Sequence, residues 1–283
     1  MSIVGSKLYY IFVNINNTIY VADQENSRIL VWHENSTNPT NIISGNFTEP
    51  ISLFVTLNGD IYIDDGGKNG RVQKWTEKTN SFVTVMGVHS SCWGLFVDTN
   101  DTLYCSMRFN HQVVKRSLYG SEMTPNIIAA GTGFSGSALN QLNESMGVFV
   151  DVNLDLYVAD YGNNRVQLFR SGESYGITVA GSRSSNPTIN LHGPSCIVLD
   201  ADKYLFIVDS YNNRIVGSSL NGFRCLIGCY GRGSQVDPLN KPSSVSFDRY
   251  GNIFVAHLGN DRIKKFMYRQ SCFGKLKGNQ MEW

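Results

Sequence analysis

Five histidines are the side chains of this chain best suited to hold a metal ion, because the imidazole nitrogen is a common zinc ligand. A catalytic zinc site needs about three protein ligands that converge on one point. The histidines have irregular spacing, and no His-Glu-x-x-His pair on a helix is present. We therefore expect no metal and no cofactor. The histidines are His33, His89, His111, His192 and His257.

Carboxylates offer a second kind of metal chemistry, since calcium prefers oxygen ligands. Glu49 and Glu144 each come shortly before a predicted strand, and they could point towards a common centre. No other oxygen ligands converge with them in the sequence. We interpret both as solvated linker carboxylates and leave a calcium-dependent enzyme as an alternative.

An aspartate followed by an asparagine and an arginine recurs along the chain at fixed internal spacing. A carboxylate that ends one strand and a guanidinium that begins the next can pair across the loop between them and order it. A catalytic group is not needed several times, so we assign these pairs a structural role. The pairs are Asp23 with Arg28, Asp160 with Arg165, and Asp209 with Arg214.

The arginine position marks six copies of one sequence unit. It is occupied by Arg28, Arg71, Gln112, Arg165, Arg214 and Arg262, which gives spacings of 43, 41, 53, 49 and 48 residues. Repeats of about 40 to 50 residues are typical of propeller blades. Each copy holds a hairpin of two β-rich runs, a loop, a third run and a fourth that ends at glycine.

This pattern predicts one all-β domain over residues 1–283, a six-bladed β-propeller with four antiparallel strands in each blade. The sixth copy has no fourth run, and residues 2–5 match the end of the fourth run elsewhere. We therefore expect the amino-terminal segment to supply the outer strand of the last blade, which closes the ring. A chain cut from a longer array is the alternative. The expected blades span 7–45, 50–87, 92–131, 145–181, 194–228 and 242–268.

The unit resembles the NHL repeat, in which an apolar strand ends in the sequence Tyr-Val-Ala-Asp-x-x-Asn-x-Arg. Asp160, Asn163 and Arg165 carry the resemblance most clearly, and it extends over nearly the whole chain. It implies a six-bladed NHL-type propeller. Three copies depart from the pattern: the second has an extra residue between Asp65 and Arg71, the third has Met107 and Gln112, and the sixth has His257.

Propellers similar to NHL proteins have several functions. The amidating lyase holds zinc and the lactonases hold calcium in the central channel, and either activity is an alternative for this chain. Tripartite-motif NHL proteins bind RNA through clustered basic residues. Here the basic run that begins at Arg262 and continues through Lys277 is interpreted as a solvated edge, so nucleic acid is not the expected partner.

We expect a non-enzymatic module that binds a protein, peptide or glycan on the face formed by the linkers between blades, because such loops converge on the channel mouth. Large apolar residues that precede the first strands could form a patch there, or could pack under the linkers as core. The candidates are Tyr9, Ile51, Trp93 and Met146, with Phe109, Tyr161, Tyr211, His89 and His192 in neighbouring loops.

Composition excludes several other classes of protein. The chain has 283 residues, a formal net charge of +1 and only 17% charged residues, so it has neither a polyelectrolyte tail nor a strongly basic arm. It has no apolar run long enough to cross a membrane. Its six cysteines are compatible with disulfides, and Cys196 with Cys229 is the expected pair. We favour an extracellular monomer over a cytoplasmic one.

Overall fold

The computed structural model describes residues 2–4, 7–120, 124–184, 189–229 and 239–267. It contains six sheets, each of four antiparallel strands. This arrangement confirms the predicted six-bladed, all-β propeller. Within the described residues, no helix is of the length and apolarity that crossing a membrane requires.

The first three blades follow one another directly along the chain. The amino-terminal strand is β1 (Ser2–Val4). Blade 1 contains β2 (Leu8–Val13), β3 (Ile19–Asp23), β4 (Arg28–Trp32) and β5 (Asn41–Ser44). Blade 2 contains β6 (Leu53–Val55), β7 (Ile61–Asp64), the single helical turn α1 (Gly66–Asn69), β8 (Arg71–Thr76) and β9 (Ser81–Gly87). Blade 3 contains β10 (Gly94–Val97), β11 (Thr102–Met107), β12 (Gln112–Ser117) and β13 (Ile127–Gly131).

The remaining three blades have the same up-and-down order. Blade 4 contains β14 (Ser145–Val150), β15 (Leu156–Asp160), β16 (Arg165–Phe169) and β17 (Ile177–Gly181). Blade 5 contains β18 (Pro194–Leu199), β19 (Leu205–Asp209), β20 (Arg214–Ser219) and β21 (Gly222–Ile227). Blade 6 contains β22 (Pro242–Phe247), β23 (Ile253–His257) and β24 (Arg262–Phe266). Short 3-10 turns at 108–110, 161–163 and 258–260 join the second and third strands of blades 3, 4 and 6.

The sheet of blade 6 is completed from the other end of the chain. Strand β1 pairs antiparallel with β24, and Val4 lies opposite Arg262. The sheet of blade 6 therefore has four strands, like the sheets of the other five blades. Gly5 and Tyr268, which end two predicted ranges, lie outside the described residues, as do Cys272, the basic residues after Lys265 and parts of the linkers that follow blades 4 and 5.

The core lies between the sheets, so the inner strand of each blade is buried on both faces. Every residue of β10 and of β22 is buried, whereas the outer strand β9 is mostly half-buried or exposed. The glycines that end the fourth strands have a steric cause. Gly181 and Gly228 have φ of +84° and +77°, and a Cβ at either would fall against the carbonyl oxygen of Asn164 or Asn213.

The ring has two faces with different loops. On the linker face, the linkers enter the first strand of each blade beside the loops that join its second and third strands. On the hairpin face, tight turns join the first and second strands. Each loop is assigned to one face from the direction of the strands that it joins, because all six blades share the same up-and-down strand order.

The predicted Cys196–Cys229 pair is wrong. Cys229 is bonded to Cys225, four residues earlier, and a second disulfide joins Cys92 to Cys105. Cys196 is a free, buried thiol on β18. Its side chain points into the interior between blades 5 and 6, where the Ser244 hydroxyl lies 3.8 Å from its sulfur. Burial raises the pKa of the Cys196 thiol.

Candidate binding surface on the linker face

The aspartate at the end of the second strand ties three segments together in blade 4. In blade 4, Asp160 Oδ1 accepts a hydrogen bond from the Asn143 backbone N–H at 2.7 Å. Its Oδ2 accepts from Asn163 Nδ2 at 2.8 Å and from Arg165 Nε at 2.7 Å. One carboxylate thus holds the incoming linker, the loop and the third strand. This geometry explains why the repeat needs aspartate, asparagine and arginine at that spacing.

Blade 5 repeats this arrangement, and blade 1 shares its bonds from the loop and the third strand. Asp209 Oδ1 accepts from the His192 N–H at 2.6 Å, and its Oδ2 accepts from Arg214 Nε at 2.7 Å. In blade 1, Arg28 Nε lies 2.8 Å from Asp23 Oδ2. The structure therefore places all three predicted aspartate–arginine pairs at bonding distance on the linker face. The extra residue of blade 2 is taken up by α1, and Asp65 still bonds Arg71.

Blade 3 lacks the pair and holds its linker in another way. Met107 and Gln112 occupy the two positions, with Gln112 Nε2 3.8 Å from the Met107 sulfur. His111 Nδ1 accepts a hydrogen bond from the Glu144 backbone N–H at 3.1 Å, and Arg108 Nε donates to Glu144 Oε2 at 3.0 Å. Glu144, considered above as a calcium ligand, instead neutralises Arg108.

Arg108 is the centre of an aromatic cluster on the linker face. Its guanidinium carbon lies 4.5 Å from the centroid of the Trp93 ring, 5.3 Å from that of Phe109 and 4.9 Å from that of Tyr161. These distances are typical of cation–π contacts. We call the set the Arg108 cluster, and it comprises Tyr9, Trp93, Arg108, Phe109, Tyr161, His192 and Tyr211.

Ring contacts extend the cluster across blades 1, 3, 4 and 5. The Tyr9 ring meets Trp93 edge-on at 5.6 Å, and Trp93 meets Phe109 edge-on at 5.9 Å. On the other side of Arg108, the Tyr161 ring is 5.6 Å from Tyr211, which is 4.8 Å from His192. Six residues chosen from the sequence as binding candidates therefore form one continuous surface.

Exposure differs among these side chains. Phe109 is 66% exposed and Tyr211 is 47% exposed, whereas Tyr9, Trp93 and Tyr161 are half-buried. Burial raises the pKa of the Tyr161 hydroxyl well above its ordinary value of 10, and a hydrogen bond with Tyr211 is the second largest cause of this shift. The Trp93 indole nitrogen is shielded from solvent, and no acceptor for it occurs among the described residues. The cluster thus presents the exposed rings of Phe109, Tyr211 and His192 on a partly desolvated base.

Three of the predicted binding residues lie outside this surface. Ile51 and Met146 are buried, with 5% and 6% exposure, which favours the core alternative for these two. His89, in the linker between blades 2 and 3, is exposed, and its backbone N–H donates to Gly70 O in the loop before β8. None of the ring contacts described above involves it.

Arg108 was not among the sequence candidates, although one signal pointed to it. It directly follows Met107 in the one blade that lacks both members of the aspartate–arginine pair. Because blade 3 has neither the aspartate nor the arginine of the structural pair, a neighbouring arginine such as Arg108 is a candidate for a binding role. Among the described residues, no group of three or more His, Cys, Asp or Glu side chains lies close enough together to hold a metal ion.

Comparison with known proteins supports the propeller fold but does not assign the chain to a family. No family model matches the chain, and no curated protein matches it. Among solved structures, a protein of unknown function from Bacteroides thetaiotaomicron is 15% identical, with a TM-score of 0.74 over 93% of this chain and 69% of that one. At this identity the likeness shows a shared propeller fold.

Two further solved structures are similar over most of the chain. An auxiliary nutrient binding protein from Bacteroides thetaiotaomicron is 14% identical, with a TM-score of 0.71 over 94% of this chain and 70% of that one. Virginiamycin B lyase from Staphylococcus aureus, solved with quinupristin, is 11% identical, with a TM-score of 0.65 over 94% of this chain and 84% of that one. A binding protein and an enzyme thus share this architecture.

Proposed function

We propose that the chain is an NHL-type propeller that works as a non-enzymatic interaction module and binds a protein, peptide or glycan on its linker face. The repeated Asp-x-x-Asn-x-Arg loops support the NHL assignment, since three blades hold the complete hydrogen-bonded set. Two disulfides support a compartment that permits oxidation, and hence an extracellular location. We propose that it acts as a monomer.

The Arg108 cluster is the observation that carries this proposal. Binding energy at interfaces concentrates in aromatic residues and arginine at the centre of the contact. Here such side chains come from four blades and meet at one place. The ion pair with Glu144 fixes Arg108, so little side-chain freedom remains to be lost on binding.

The chemistry of the cluster indicates what it would contact. Phe109 and Tyr211 offer exposed ring faces, and the Tyr211 hydroxyl and the His192 ring add polar groups beside them. Tyrosine combines an apolar ring with a hydrogen-bonding tip, which suits both peptide side chains and sugar rings. Because Glu144 neutralises Arg108, the surface does not favour a polyanion such as RNA.

A defined selection tests the proposal. The wild-type protein would be screened against a phage-displayed 12-residue peptide library and a printed glycan array. Selected ligands would be measured by isothermal titration against Phe109→Ala and Tyr211→Ala. We expect each variant to weaken binding about tenfold or more, which corresponds to about 1.4 kcal/mol.

The matched control is Tyr175→Ala, because Tyr175 is 65% exposed in the turn between β16 and β17, on the hairpin face. It should leave the affinity unchanged. Equal loss in Tyr175→Ala and Tyr211→Ala would contradict the placement of the site. Stoichiometric zinc or calcium in the purified protein, lost together with an activity on chelation, would contradict the non-enzymatic role.

A further inference from the structure

A cavity of about 780 Å³ opens on the hairpin face, opposite to the Arg108 cluster. It is lined by the ends of the inner strands and by the first turns of blades 1 to 5. Cavities of roughly 300 to 1,000 Å³ that are mostly apolar are typical of small-molecule sites. The size therefore suits one compact organic ligand.

Four phenylalanines form the floor of the cavity. Phe12, Phe54, Phe96 and Phe149 occupy the same position of the inner strand in blades 1 to 4. Successive ring centroids are 5.2, 4.8 and 5.0 Å apart. Aromatic faces provide apolar contact and attract cations through their electron-rich rings.

The rim is apolar at positions where polar residues are usual. Ile15, Leu57 and Val152 each stand two residues after the end of an inner strand, in a tight turn, and are 44%, 66% and 68% exposed. Turn positions normally hold Gly, Asn, Asp, Pro or Ser. Three exposed aliphatic side chains around one opening are consistent with a surface that a ligand covers.

The cavity carries a formal negative charge. Its lining includes the carboxylates of Asp98, Asp101, Asp151 and Asp200 and the ammonium of Lys203, which sum to −3. Lys203 Nζ is already bonded to Asp151 Oδ2 at 2.7 Å. Asp200 Oδ1 accepts the backbone N–H groups of Asp202 and Tyr204, and no partner of its Oδ2 is found among the described residues.

We propose that this cavity is a second binding site, specific for a small organic cation with a bulky apolar body. Aromatic rings and aliphatic side chains would enclose the apolar body, and the carboxylates would favour its positive charge. The site is separate from the linker face in position and in chemistry. It would therefore bind its ligand whether or not the linker face is occupied.

Two probes of matched shape and opposite charge test this proposal. Tetraphenylphosphonium and tetraphenylborate would each be titrated calorimetrically into the purified full chain. We expect one equivalent of tetraphenylphosphonium to bind, and tetraphenylborate to bind about tenfold more weakly or not at all. The absence of tetraphenylphosphonium binding, or equal binding of the two ions, would overturn the proposal.

Single variants locate the site. Asp200→Asn removes the charge but keeps Oδ1 as the acceptor of the turn, so folding should be retained and tetraphenylphosphonium affinity should fall severalfold. Asp202→Asn is the matched control, because it removes an exposed charge from the same turn but does not line the cavity. Equal effects of the two variants would show a general charge effect and overturn the assignment.

Apolar contacts are tested in the same way. Leu57→Ala should weaken tetraphenylphosphonium binding severalfold, whereas Leu220→Ala, at a 90% exposed position away from the cavity, should not. Thermal unfolding of each variant would establish that it is folded. A larger effect of Tyr211→Ala than of Leu57→Ala would place the cation at the Arg108 cluster instead and overturn the proposal.

Discussion

The two faces of the ring use aspartate at strand ends for different purposes, and blade 4 shows both. On the linker face, Asp160 is fully buried and bonds the guanidinium of Arg165, which is 1% exposed. On the hairpin face, Asp151 accepts the backbone N–H groups of Asn153 and Asp155 in its own turn. Only one of its oxygens meets a cation, the half-exposed Lys203. The position in the blade therefore decides what the carboxylate does.

This difference separates the chemistry of the two faces. On the linker face, Asp23, Asp160 and Asp209 are held in ion pairs, and the accessible side chains include the aromatic rings around Arg108. On the hairpin face, turn N–H groups bond Asp98 and Asp200 without neutralising them. Lys203 offsets only one of the four carboxylates that line the cavity, so the cavity keeps its negative charge. A neutral aromatic surface and an acidic apolar cavity therefore occur on opposite ends of one rigid scaffold.

The largest expected effect comes from removing the charge of Asp160. Asp160→Asn leaves the buried guanidinium of Arg165 without its counter-charge, and breaking a buried pair in this way costs about 3 to 5 kcal/mol. Asp151→Asn keeps the turn acceptor and loses only a partly exposed ion pair, so it should cost less than about 1 kcal/mol. Urea denaturation of both variants measures the contrast, and equal losses would remove the distinction between the two faces.

A second effect of similar size concerns pH. Asp64, at the end of β7, is fully buried, and desolvation raises the pKa of its carboxyl from 3.8 to about 7, against hydrogen bonds from the backbone of Cys92 and Ile51. Between about pH 4 and pH 7 the folded protein therefore holds a proton that the unfolded chain has released. This stabilising contribution is complete below about pH 4 and is lost as the pH rises through about 7.

The size of the pH effect is on the order of 4 kcal/mol, since each unit of pKa corresponds to about 1.4 kcal/mol. The free energy of unfolding would be measured from pH 4 to pH 8 for the wild type and for Asp64→Asn. The variant has no titrating group at this position, so its profile should be flatter, and its stability relative to the wild type should rise between pH 4 and pH 8. Profiles of the same slope would contradict the assignment to Asp64.

The contribution of each disulfide to stability should depend on the length of the loop that it closes. The Cys92–Cys105 bond spans 13 residues at the linker face, and the Cys225–Cys229 bond spans 4. Loop entropy predicts losses of about 3 kcal/mol for Cys92→Ala/Cys105→Ala and about 2 kcal/mol for Cys225→Ala/Cys229→Ala. Thermal unfolding of the two double variants ranks them, and the reverse order would show that strand packing outweighs loop closure.

The smallest effect compares two arginines that lie over aromatic rings. Arg108→Ala removes the contacts with three rings and the bond to Glu144, and it should cost about 1 to 2 kcal/mol. Arg249 on the hairpin face stacks on the neighbouring Tyr250 at 4.9 Å, and its side chain is 51% exposed. Arg249→Ala should therefore cost less than about 0.5 kcal/mol. Thermal unfolding distinguishes these outcomes, and equal costs would mean that Arg108 does not organise its cluster.

The fold was predictable because the repeat carries it. Strand ends are marked by aspartate, arginine and glycine in nearly every copy, and each marker has a local cause, such as the positive φ of Gly181. The Asp160–Arg165 pair is equally local, since five residues separate its members. Such features depend on one blade and can be recognised in the sequence alone.

The candidate sites were predictable only in part, because they combine residues from several blades. Aromatic residues of the linker face could be chosen one by one, but their arrangement around Arg108 depends on loops from blades 1, 3, 4 and 5. The floor of the cavity was not predicted, because a phenylalanine repeated at one position of the inner strand does not show how far the rings of Phe12 to Phe149 leave the channel open. The predicted cysteine pairing failed because Cys196 lies on β18 and Cys229 follows β21, and these strands are the opposite edges of one four-stranded sheet.

Hydrogen–deuterium exchange of the wild-type protein with and without a ligand selected from the peptide library or the glycan array tests the central claim most directly. Binding to the Arg108 cluster predicts slower exchange in the loops at 108–111, 161–164 and 210–213, where backbone N–H groups lie beside the exposed rings. The turns of the hairpin face should exchange at an unchanged rate. Protection confined to the hairpin turns at 14–17, 56–60 and 151–155 would contradict the assignment of the linker face.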